Sequence, residues 1–245
     1  MTTRSLILGA KSVIAQALST QLAREGSDLT LAARQSNELR PFVSDLQLHT
    51  RRQIDLVEFD ALSAPCKTED ELRARFGDFD LAILVFGYLG QHGHAIRDLA
   101  EQDRILRTNF LSATQILSLI ANYLYSNNKR GGIIGITSVA GDRGRQSNYI
   151  YGAAKGGLSI YLQGLRNRLA GVGIHVMTVK PGFVDTPMTE DIEGLFLVAS
   201  PQRVARDILI GYAKKRDVVY TPWFWRFIML VIKTIPERIF KRLQL

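Results

Sequence analysis

Two residues that could handle a proton stand four positions apart in the segment SNYIYGAAKGG, residues 147–157. On a helix, Tyr151 and Lys155 would lie on the same face. A tyrosine with its ordinary pKa of about 10 is a poor acid or base at neutral pH. An ammonium about 4 Å away stabilises the phenolate by about 4 kcal/mol at an effective dielectric near 20, which would lower the tyrosine pKa to about 7. The spacing predicts a proton donor tuned by a neighbouring charge, with small residues between the two to admit a cofactor and a substrate.

Two polar residues upstream could complete such a site. Ser138 ends the run IIGITS, where its hydroxyl could hydrogen-bond a reacting oxygen and hold it against Tyr151. Asn109, in RTNFLSATQ, could hold a helix bend or a water that links Lys155 to solvent. Each feature has an alternative interpretation without catalysis. Ser138 could simply start a loop, Asn109 could be a buried amide with satisfied hydrogen bonds, and the Tyr–Lys spacing could arise by chance. The occurrence of all four in this order favours the catalytic interpretation.

These residues need a scaffold that brings them together, and the pattern of the chain predicts one. Short apolar runs alternate with longer amphipathic stretches, which is typical of a parallel sheet covered by helices on both faces. The runs are residues 5–8, 29–33, 54–59, 81–86, 133–137, 175–180 and 218–220, and the amphipathic stretches are residues 12–25, 98–125, 151–170 and 201–214. The pattern predicts a single α/β domain with a Rossmann-type, doubly wound parallel sheet of about seven strands. Ligands of such folds bind beyond the C-terminal ends of the strands.

The first predicted strand leads through a turn into a helix in LILGAKSVIAQALSTQLAREG. The close backbone approach that Gly9 allows, together with the amides of the helix N-terminus, suits a pyrophosphate. Ser12 could cap the helix or bond a phosphate oxygen. An ordinary strand–turn–helix junction is the alternative, because Val13 and Ala15 stand where further glycines would complete a fingerprint.

The second predicted strand ends on a cation. Arg34 stands where many NAD-dependent proteins carry an acidic residue, and no Asp or Glu follows before Glu38. An arginine there would meet a 2′-phosphate through its planar fork. With Lys11 it favours NADP(H), with NAD(H) as the alternative, unless both cations are solvated surface residues. Asp60, after the third strand, could accept a hydrogen bond from an adenine amino group or cap the next segment.

The composition limits the cellular compartments and the classes of binding partner that we expect. Cys66, the one cysteine, cannot form an internal disulfide, and we see no export signal, so we expect a cytoplasmic protein. The net charge of +8 admits nucleic acid, anionic membranes or phosphorylated ligands. Because the basic residues form no recognisable recognition element, we expect no nucleic-acid partner. His92 and His94 in GQHGHA lack a third ligand nearby, so they predict a flexible polar loop and no metal.

Taken together, these motifs resemble the classical short-chain dehydrogenases/reductases over residues 4–222. The resemblance implies an NAD(P)-dependent enzyme with a catalytic tetrad of Asn109, Ser138, Tyr151 and Lys155, the last two also contacting the cofactor. In KPGFVDTPM it implies that Pro181, Gly182 and Val184 face the nicotinamide and that Thr186 lies near the pyrophosphate. The other predicted cofactor contacts are Gly9, Lys11, Ser12, Ile14, Arg34, Asp60 and Gly87. The second and third glycines of the family's first motif are replaced here, and its Asn-Ala-Gly after the fourth strand reads VFGYLG.

A closer resemblance extends over nearly the whole chain. VFGYLG, AGDRGRQSNYIYGAAKGGL, VKPGFVDTPM and TPWFWRFIMLVIKTIPERIFKRL are similar to segments of the decaprenylphosphoryl 2-keto-pentose reductases. This implies reduction of a ketone on a polyprenyl-phosphate-linked sugar, a cell-wall arabinan precursor. Such relatives generally use NADH, whereas Arg34 here favours NADPH.

Other functions stay open on the sequence. The chain could reduce a soluble ketone or an acyl thioester, or it could be a catalytically idle NADP-binding sensor or partner subunit. Asp142, Arg143 and Arg145 border the substrate side, where they would contact a substrate phosphate or pair with each other. We also expect a homo-oligomer formed through the helices after the fourth and fifth strands.

The aromatic and basic segment 223–245 is predicted to be a tail appended to a reductase domain of residues 1–222. Arg226 and Lys233 interrupt its apolar run and Pro236 follows, so it does not predict a spanning helix. Aromatic side chains with interleaved cations are typical of a segment lying at a membrane interface, which predicts peripheral membrane contact. Packing on its own domain, covering the substrate pocket and forming an oligomer contact are the alternatives.

Overall fold

The sheet of the computed structural model contains seven parallel strands among the residues that the structure describes, 3–63, 65–188 and 197–243. The predicted reductase domain, 1–222, and the predicted tail, 223–245, both include residues outside this part of the chain, namely 1–2, 64, 189–196 and 244–245. The strands are β1 Arg4–Leu8, β2 Asp28–Ala33, β3 Ile54–Glu58, β4 Leu81–Leu84, β5 Gly132–Ile136, β6 His175–Pro181 and β7 Val218–Thr221. Their order, β3-β2-β1-β4-β5-β6-β7, confirms the doubly wound sheet. The division of the chain at residue 222 stays a prediction.

Helices cover both faces of this sheet. Two separate apolar cores result, because each buried strand sends alternate side chains to opposite faces. One core lies under α1 Val13–Arg24, α2 Arg40–Thr50 and α8 Pro201–Ala213, and the other lies under α3 Glu69–Phe76, α6 Ser112–Ser126 and α7 Tyr149–Leu169. The remaining helices are α4 His92–Ala95, α5 Leu99–Leu106, α9 Trp225–Thr234 and α10 Glu237–Phe240.

The strand order reverses beside β1, which pairs with β2 on one side and β4 on the other. A crevice forms where chains leave neighbouring parallel strands in opposite directions. Gly9 follows β1, Gly87 follows β4 and Ser138 follows β5, so three predicted site residues lie at this edge of the sheet.

The predicted helical stretch 98–125 is interrupted in its middle. A π-helical segment, Arg107–Leu111, separates α5 from α6. The Asn109 side-chain Nδ2 donates to the Ile105 carbonyl at 2.9 Å across this wider turn. Asn109 therefore lies in an irregular turn of the helix, at the position where a bend was proposed.

The segment around His92 and His94 is a short helix, α4, so the prediction of a flexible loop was wrong. The amides of His94 and Ala95 donate to the Gln91 carbonyl, and Ala95 is buried in a small core with Ile105. The His92 ring packs edge-on against Tyr149, with 4.6 Å between ring centroids. The apolar anchor at Ala95 orders a segment whose composition is typical of a loop.

The tail packs on its own domain, one of the alternatives left open by the sequence. Trp225 and Met229 on α9 are buried with Val139, and Trp225 packs edge-on against Phe183. The Trp225 indole also covers Gly182, where a Cβ atom would overlap it. No helix in the described part of the chain is long and apolar enough to cross a membrane.

Arg143 fastens the end of the tail to the domain. Its Nη1 donates to the carbonyls of Ile232 and Ile235, each at 2.6 Å, and its Nη2 bonds Glu237 at 3.0 Å. Its guanidinium carbon lies 3.7 Å from the centroid of the Phe240 ring. The C-terminal carbonyls of a helix lack intrahelical partners and attract cations, which explains why this arginine binds there.

Asp142 and Arg143 do not pair with each other, so that prediction was wrong, and Arg143 is bound to the tail. The buried Asp142 carboxylate forms an ion pair with Lys180 and accepts the Tyr220 hydroxyl at 2.7 Å. These bonds tie the chain after β5 to β6 and β7. Asp142 thus holds the segment that follows Ser138 to the sheet, and Arg143 holds it to the tail.

Candidate active site

The helix that carries Tyr151 and Lys155 approaches the turn after β5 at backbone distance. A Cβ on Gly152 would lie 2.8 Å from the Ala140 carbonyl oxygen, and one on Gly156 would lie 2.9 Å from that of Gly141. Real Cβ atoms do not approach oxygen so closely, so glycine is needed at both positions. Gly152 is one of the small residues predicted to admit a cofactor and a substrate; like Gly156, it also admits the neighbouring backbone.

This close packing brings Ser138 to Tyr151. Ser138 is half-buried in extended backbone, and its hydroxyl accepts the Ala140 amide at 3.1 Å. Burial raises the pKa of Tyr151 to about 12, while a hydrogen bond with Ser138 acts in the opposite direction. The phenol is therefore protonated at neutral pH.

The pKa of Tyr151 is raised rather than lowered towards neutrality, so that expectation for Lys155 was wrong. Its Nζ donates to the Ile136 carbonyl at 3.2 Å and lies 5.8 Å from the centroid of the Tyr151 ring. Lys155 is only 3% exposed, and burial lowers its own pKa to about 8. Desolvation is the largest effect on both groups, and it favours the neutral phenol and the neutral amine.

Asn109 and Gly87 pack directly behind the lysine. A Cβ on Gly87 would lie 2.9 Å from Asn109 Oδ1 and 3.2 Å from Lys155 Nζ. The fully buried Asn109 side chain accepts the Tyr88 amide at 3.1 Å and donates to the Tyr88 carbonyl at 2.5 Å. Asn109 thus holds the loop after β4 against the helix bend, with both its donor hydrogens used.

The opposite end of the site begins at the turn after β1. Gly9 has φ +93°, and a Cβ there would lie 2.5 Å from the Phe86 amide nitrogen. Both the conformation and the close contact require glycine. Ser12 stands at the N-cap of α1 without a side-chain capping bond, so its hydroxyl is not used by the helix. The amides at the start of such a helix that lack intrahelical partners suit an anion.

The cations near this end differ in their surroundings. Lys11 pairs with Glu38 at 2.6 Å and donates to Gln35 at 3.1 Å, so it takes part in a surface network. Arg34 is exposed and lines the main cavity. Of the two, Arg34 is the better placed to meet a ligand.

Two acids at the C-terminal end of β3 and just beyond it shape this end, and only Asp60 was predicted from the sequence. Asp60 Oδ1 accepts the Leu62 amide at 2.9 Å, which is the capping role, and the residue also lines the cavity. Glu58 was missed: its carboxylate accepts the backbone amides of Gln35 and Ser36, each at 2.8 Å. Hydrogen bonds from Ser36 lower the pKa of Glu58. Its position in VEFD, two residues before Asp60, was the available signal.

One cavity of about 480 Å³ joins the two ends. Every predicted cofactor contact lines it, and Asn109 alone among the predicted catalytic residues lies behind the wall. The predicted residues in the wall are Gly9, Lys11, Ser12, Ile14, Arg34, Asp60, Gly87, Ser138, Tyr151, Lys155, Pro181, Gly182, Val184 and Thr186. The wall also contains Asn148, which the sequence analysis missed although it precedes Tyr151 by less than one helical turn.

A doubly wound parallel sheet with a Tyr–Lys helix beyond its fifth strand defines the class of protein, and comparisons with known proteins agree. Residues 4–194 match the profile of the family described as short chain dehydrogenase. An uncharacterised oxidoreductase of Mycobacterium tuberculosis is 32% identical over 240 residues, which cover 97% of this chain and 96% of the relative. One from Streptomyces coelicolor is 32% identical over 241 residues, covering 97% and 94%. The chain belongs to the short chain dehydrogenase family, and the prediction of an enzyme is confirmed.

Solved structures show the same fold over nearly the full chain. A short-chain dehydrogenase from Sphingobium yanoikuyae in complex with NADPH has a TM-score of 0.82 at 24% identity and covers 96% of this chain and 97% of its own. A bulky-bulky ketone specific alcohol dehydrogenase from Comamonas testosteroni has a TM-score of 0.80 at 26% identity, with 96% and 95% covered.

The buried ammonium of Lys155 predicts how stability depends on pH. Its folded pKa of about 8 lies below the ordinary 10.5, so the unfolded chain binds the proton more tightly and the free energy of unfolding rises as pH increases from 8 to 10.5. Lys155→Met should lack this rise of about 3 kcal/mol. Denaturant unfolding at pH 7 and pH 10 measures this change in the free energy of unfolding in both proteins. Loss of the bond to Ile136 lowers the stability of the variant at both pH values and does not affect the difference. Parallel pH profiles would contradict a buried, desolvated Lys155.

Proposed function

We propose that this enzyme is an NADP(H)-dependent carbonyl reductase that uses Tyr151 as its proton donor. The observation that carries the proposal is the single cavity that joins the Gly9 turn and Arg34 at one end to Ser138, Tyr151 and Lys155 at the other. It combines a place for a phosphorylated dinucleotide with a protonated phenol, which is what reduction of a carbonyl requires.

The residues present fit a nicotinamide dinucleotide. The Gly9 turn admits a close backbone approach that a side chain would block, and the unused Ser12 hydroxyl stands at the start of α1. Arg34 would hold a 2′-phosphate through its planar fork. The dehydrogenase from Sphingobium yanoikuyae was solved with NADPH, which also supports NADP(H). NAD(H) is the alternative.

When bound, the reduced nicotinamide supplies a hydride for the carbonyl carbon. Tyr151 donates its hydroxyl proton to the carbonyl oxygen, and the Ser138 hydroxyl orients that oxygen against it. Lys155, which is charged below pH 8, stabilises the phenolate that Tyr151 leaves behind and binds the ribose. Asn109 positions Lys155 by holding the Gly87 loop and supports the return of a proton from solvent.

Tyr151→Phe tests the proton donor. Removing the hydroxyl should lower the turnover number for ketone reduction by about 10²- to 10⁴-fold, the usual contribution of a positioned acid, while NADPH affinity stays nearly unchanged. Steady-state absorbance and fluorescence titration measure the two quantities. Tyr149→Phe, on the same helix but half-exposed, is the matched control and should keep its rate. A fully active Tyr151→Phe would contradict the mechanism; a wild type that binds NADPH tightly but reduces no ketone would favour an idle NADP-binding protein.

For the substrate, we propose a 2-keto sugar linked to a polyprenyl phosphate. The motif resemblance supports this substrate. The apolar and basic tail supports it as well, because it lies beside the cavity wall, where Trp225 packs directly on Gly182 and Phe183. A soluble ketone is the alternative, and the alcohol dehydrogenase from Comamonas testosteroni, specific for bulky-bulky ketones, favours that class. Turnover screens with and without detergent-dispersed lipid substrates separate them.

The outer face of α9 supports peripheral contact with an anionic membrane. Trp223, Phe227, Leu230 and Val231 are each more than half exposed, on the side opposite the buried Trp225. Exposed cations occur in the same segment: Arg226, Lys233, Arg238, Lys241 and Arg242. An apolar helix face bordered by cations is typical of helices that lie in the interface of an anionic bilayer.

Vesicle flotation tests the membrane contact. The wild type should float with phosphatidylglycerol-containing vesicles and much less with pure phosphatidylcholine, and added salt should weaken binding. Replacing both Trp223 and Phe227 by Ser should abolish flotation without lowering Tm, since both are exposed. Leu48→Ser, an equally exposed apolar residue on α2, should bind like the wild type. Undiminished flotation of the double variant would refute this role of the tail.

We also keep the homo-oligomer as a proposal. Leu111 next to α6 and Ile160 on α7 are exposed apolar residues on the helices expected to form the contact. Sedimentation showing a monomer at micromolar concentration would exclude it.

A further inference from the structure

Arg145 lies in the wall of the cavity on the side of the reacting groups. It belongs to the segment between the Ser138 turn and α7, and its carbonyl accepts the Asn148 amide at 3.1 Å. The Asn148 carbonyl in turn accepts the Gly152 amide at 2.8 Å. Two hydrogen-bonded turns therefore connect Arg145 to the helix of Tyr151.

The guanidinium of Arg145 lacks a counter-charge within the described ranges. Its Nε is buried and has no hydrogen-bond partner there, and no carboxylate among those residues forms an ion pair with it. Burial lowers the pKa of Arg145. Arg143, two residues earlier, shows the contrast, because its guanidinium is bound by the carbonyls of the tail. A partly buried, uncompensated charge destabilises a fold, so its presence in a cavity wall indicates that a ligand supplies the partner.

A second polar atom in the same wall is also unsatisfied. Asn148 Oδ1 is buried and accepts no hydrogen bond from the residues described. Buried polar atoms are normally hydrogen-bonded. A donor on Arg145 and an acceptor on Asn148, in one wall, match a ligand that carries an anionic group and a hydroxyl.

The strand order separates Arg145 from the 2′-phosphate site proposed at Arg34. Arg34 follows β2 and Arg145 follows β5, and the sheet order places β1 and β4 between these strands. Three strand spacings amount to about 14 Å. Arg145 therefore lies at the substrate end, beyond Ser138.

We propose that Arg145 binds an anionic oxygen group, phosphate or carboxylate, on the ketone substrate, and that Asn148 accepts a hydrogen bond from a neighbouring hydroxyl. This rests on the proposed reductase function and names a chemical class for its substrate. It makes Arg145 a specificity residue, since charged ketones gain a bidentate bond that neutral ones lack.

Binding to the NADP⁺-saturated enzyme tests this without turnover. Phenyl phosphate, benzoate and neutral benzyl alcohol are titrated by calorimetry into the wild type, Arg145→Gln and Arg145→Lys. We expect Arg145→Gln to bind the preferred anion at least tenfold more weakly, Arg145→Lys to fall between, and benzyl alcohol to bind all three alike. Lys214→Gln, an exposed charge change before β7, should match the wild type. The tighter of the two anions identifies the group as phosphate or carboxylate.

Equal anion affinity in the wild type and Arg145→Gln, or no anion binding to the wild type, would overturn the proposal. Thermal unfolding separates ligand binding from a structural role, because loss of a structural arginine lowers Tm. Arg145→Gln should keep or raise Tm, whereas Arg143→Gln should lower it. A fall in Tm for Arg145→Gln would also count against the proposal. Because these titrations need no reaction, their failure is distinguishable from failure of the reductase, which the Tyr151→Phe rates decide.

Discussion

Contact between the backbone of α7 and the turn after β5 determines the geometry of the whole site. Gly152 and Gly156 meet the carbonyls of Ala140 and Gly141 at distances that exclude any side chain. Ser138 begins that turn and Tyr151 lies on that helix, so the distance between their hydroxyls depends on how closely the two backbones approach. A displacement of about 1 Å at such a site is enough to lower a reaction rate substantially.

The surrounding residues hold both partners of this contact. Behind the helix, Asn109 fixes the Gly87 loop, which leaves room for the Lys155 ammonium only because position 87 has no side chain. On the other side of the turn, Asp142 binds Lys180 and Tyr220 while Arg143 binds the end of α9. The tail therefore packs against residues of the cavity wall, as well as offering a surface for other contacts.

The sequence predicted the framework well and the contacts less well. Each strand began and ended within two residues of its predicted position, because alternating runs and helical stretches are local patterns. All the residues predicted to contact the cofactor line one cavity. Pairings between distant segments were not predictable: Arg143 meets carbonyls about 90 residues later, and Trp225 covers Gly182. The error for Lys155 has a similar origin, since the pKa of Tyr151 depends on burial, which spacing along a helix does not reveal.

The most direct test compares two glycines of α7. A methyl at Gly156 would overlap the Gly141 carbonyl, whereas no heavy atom lies within 4 Å of a Cβ at Gly164. Gly164→Ala should keep full NADPH-dependent ketone reduction and gain about 1 kcal/mol of stability from helix propensity. Gly156→Ala should still bind NADPH, which reports an intact fold, yet lose at least about tenfold in turnover as Ser138 moves from Tyr151. Full turnover by Gly156→Ala would contradict the claim that this backbone contact assembles the site.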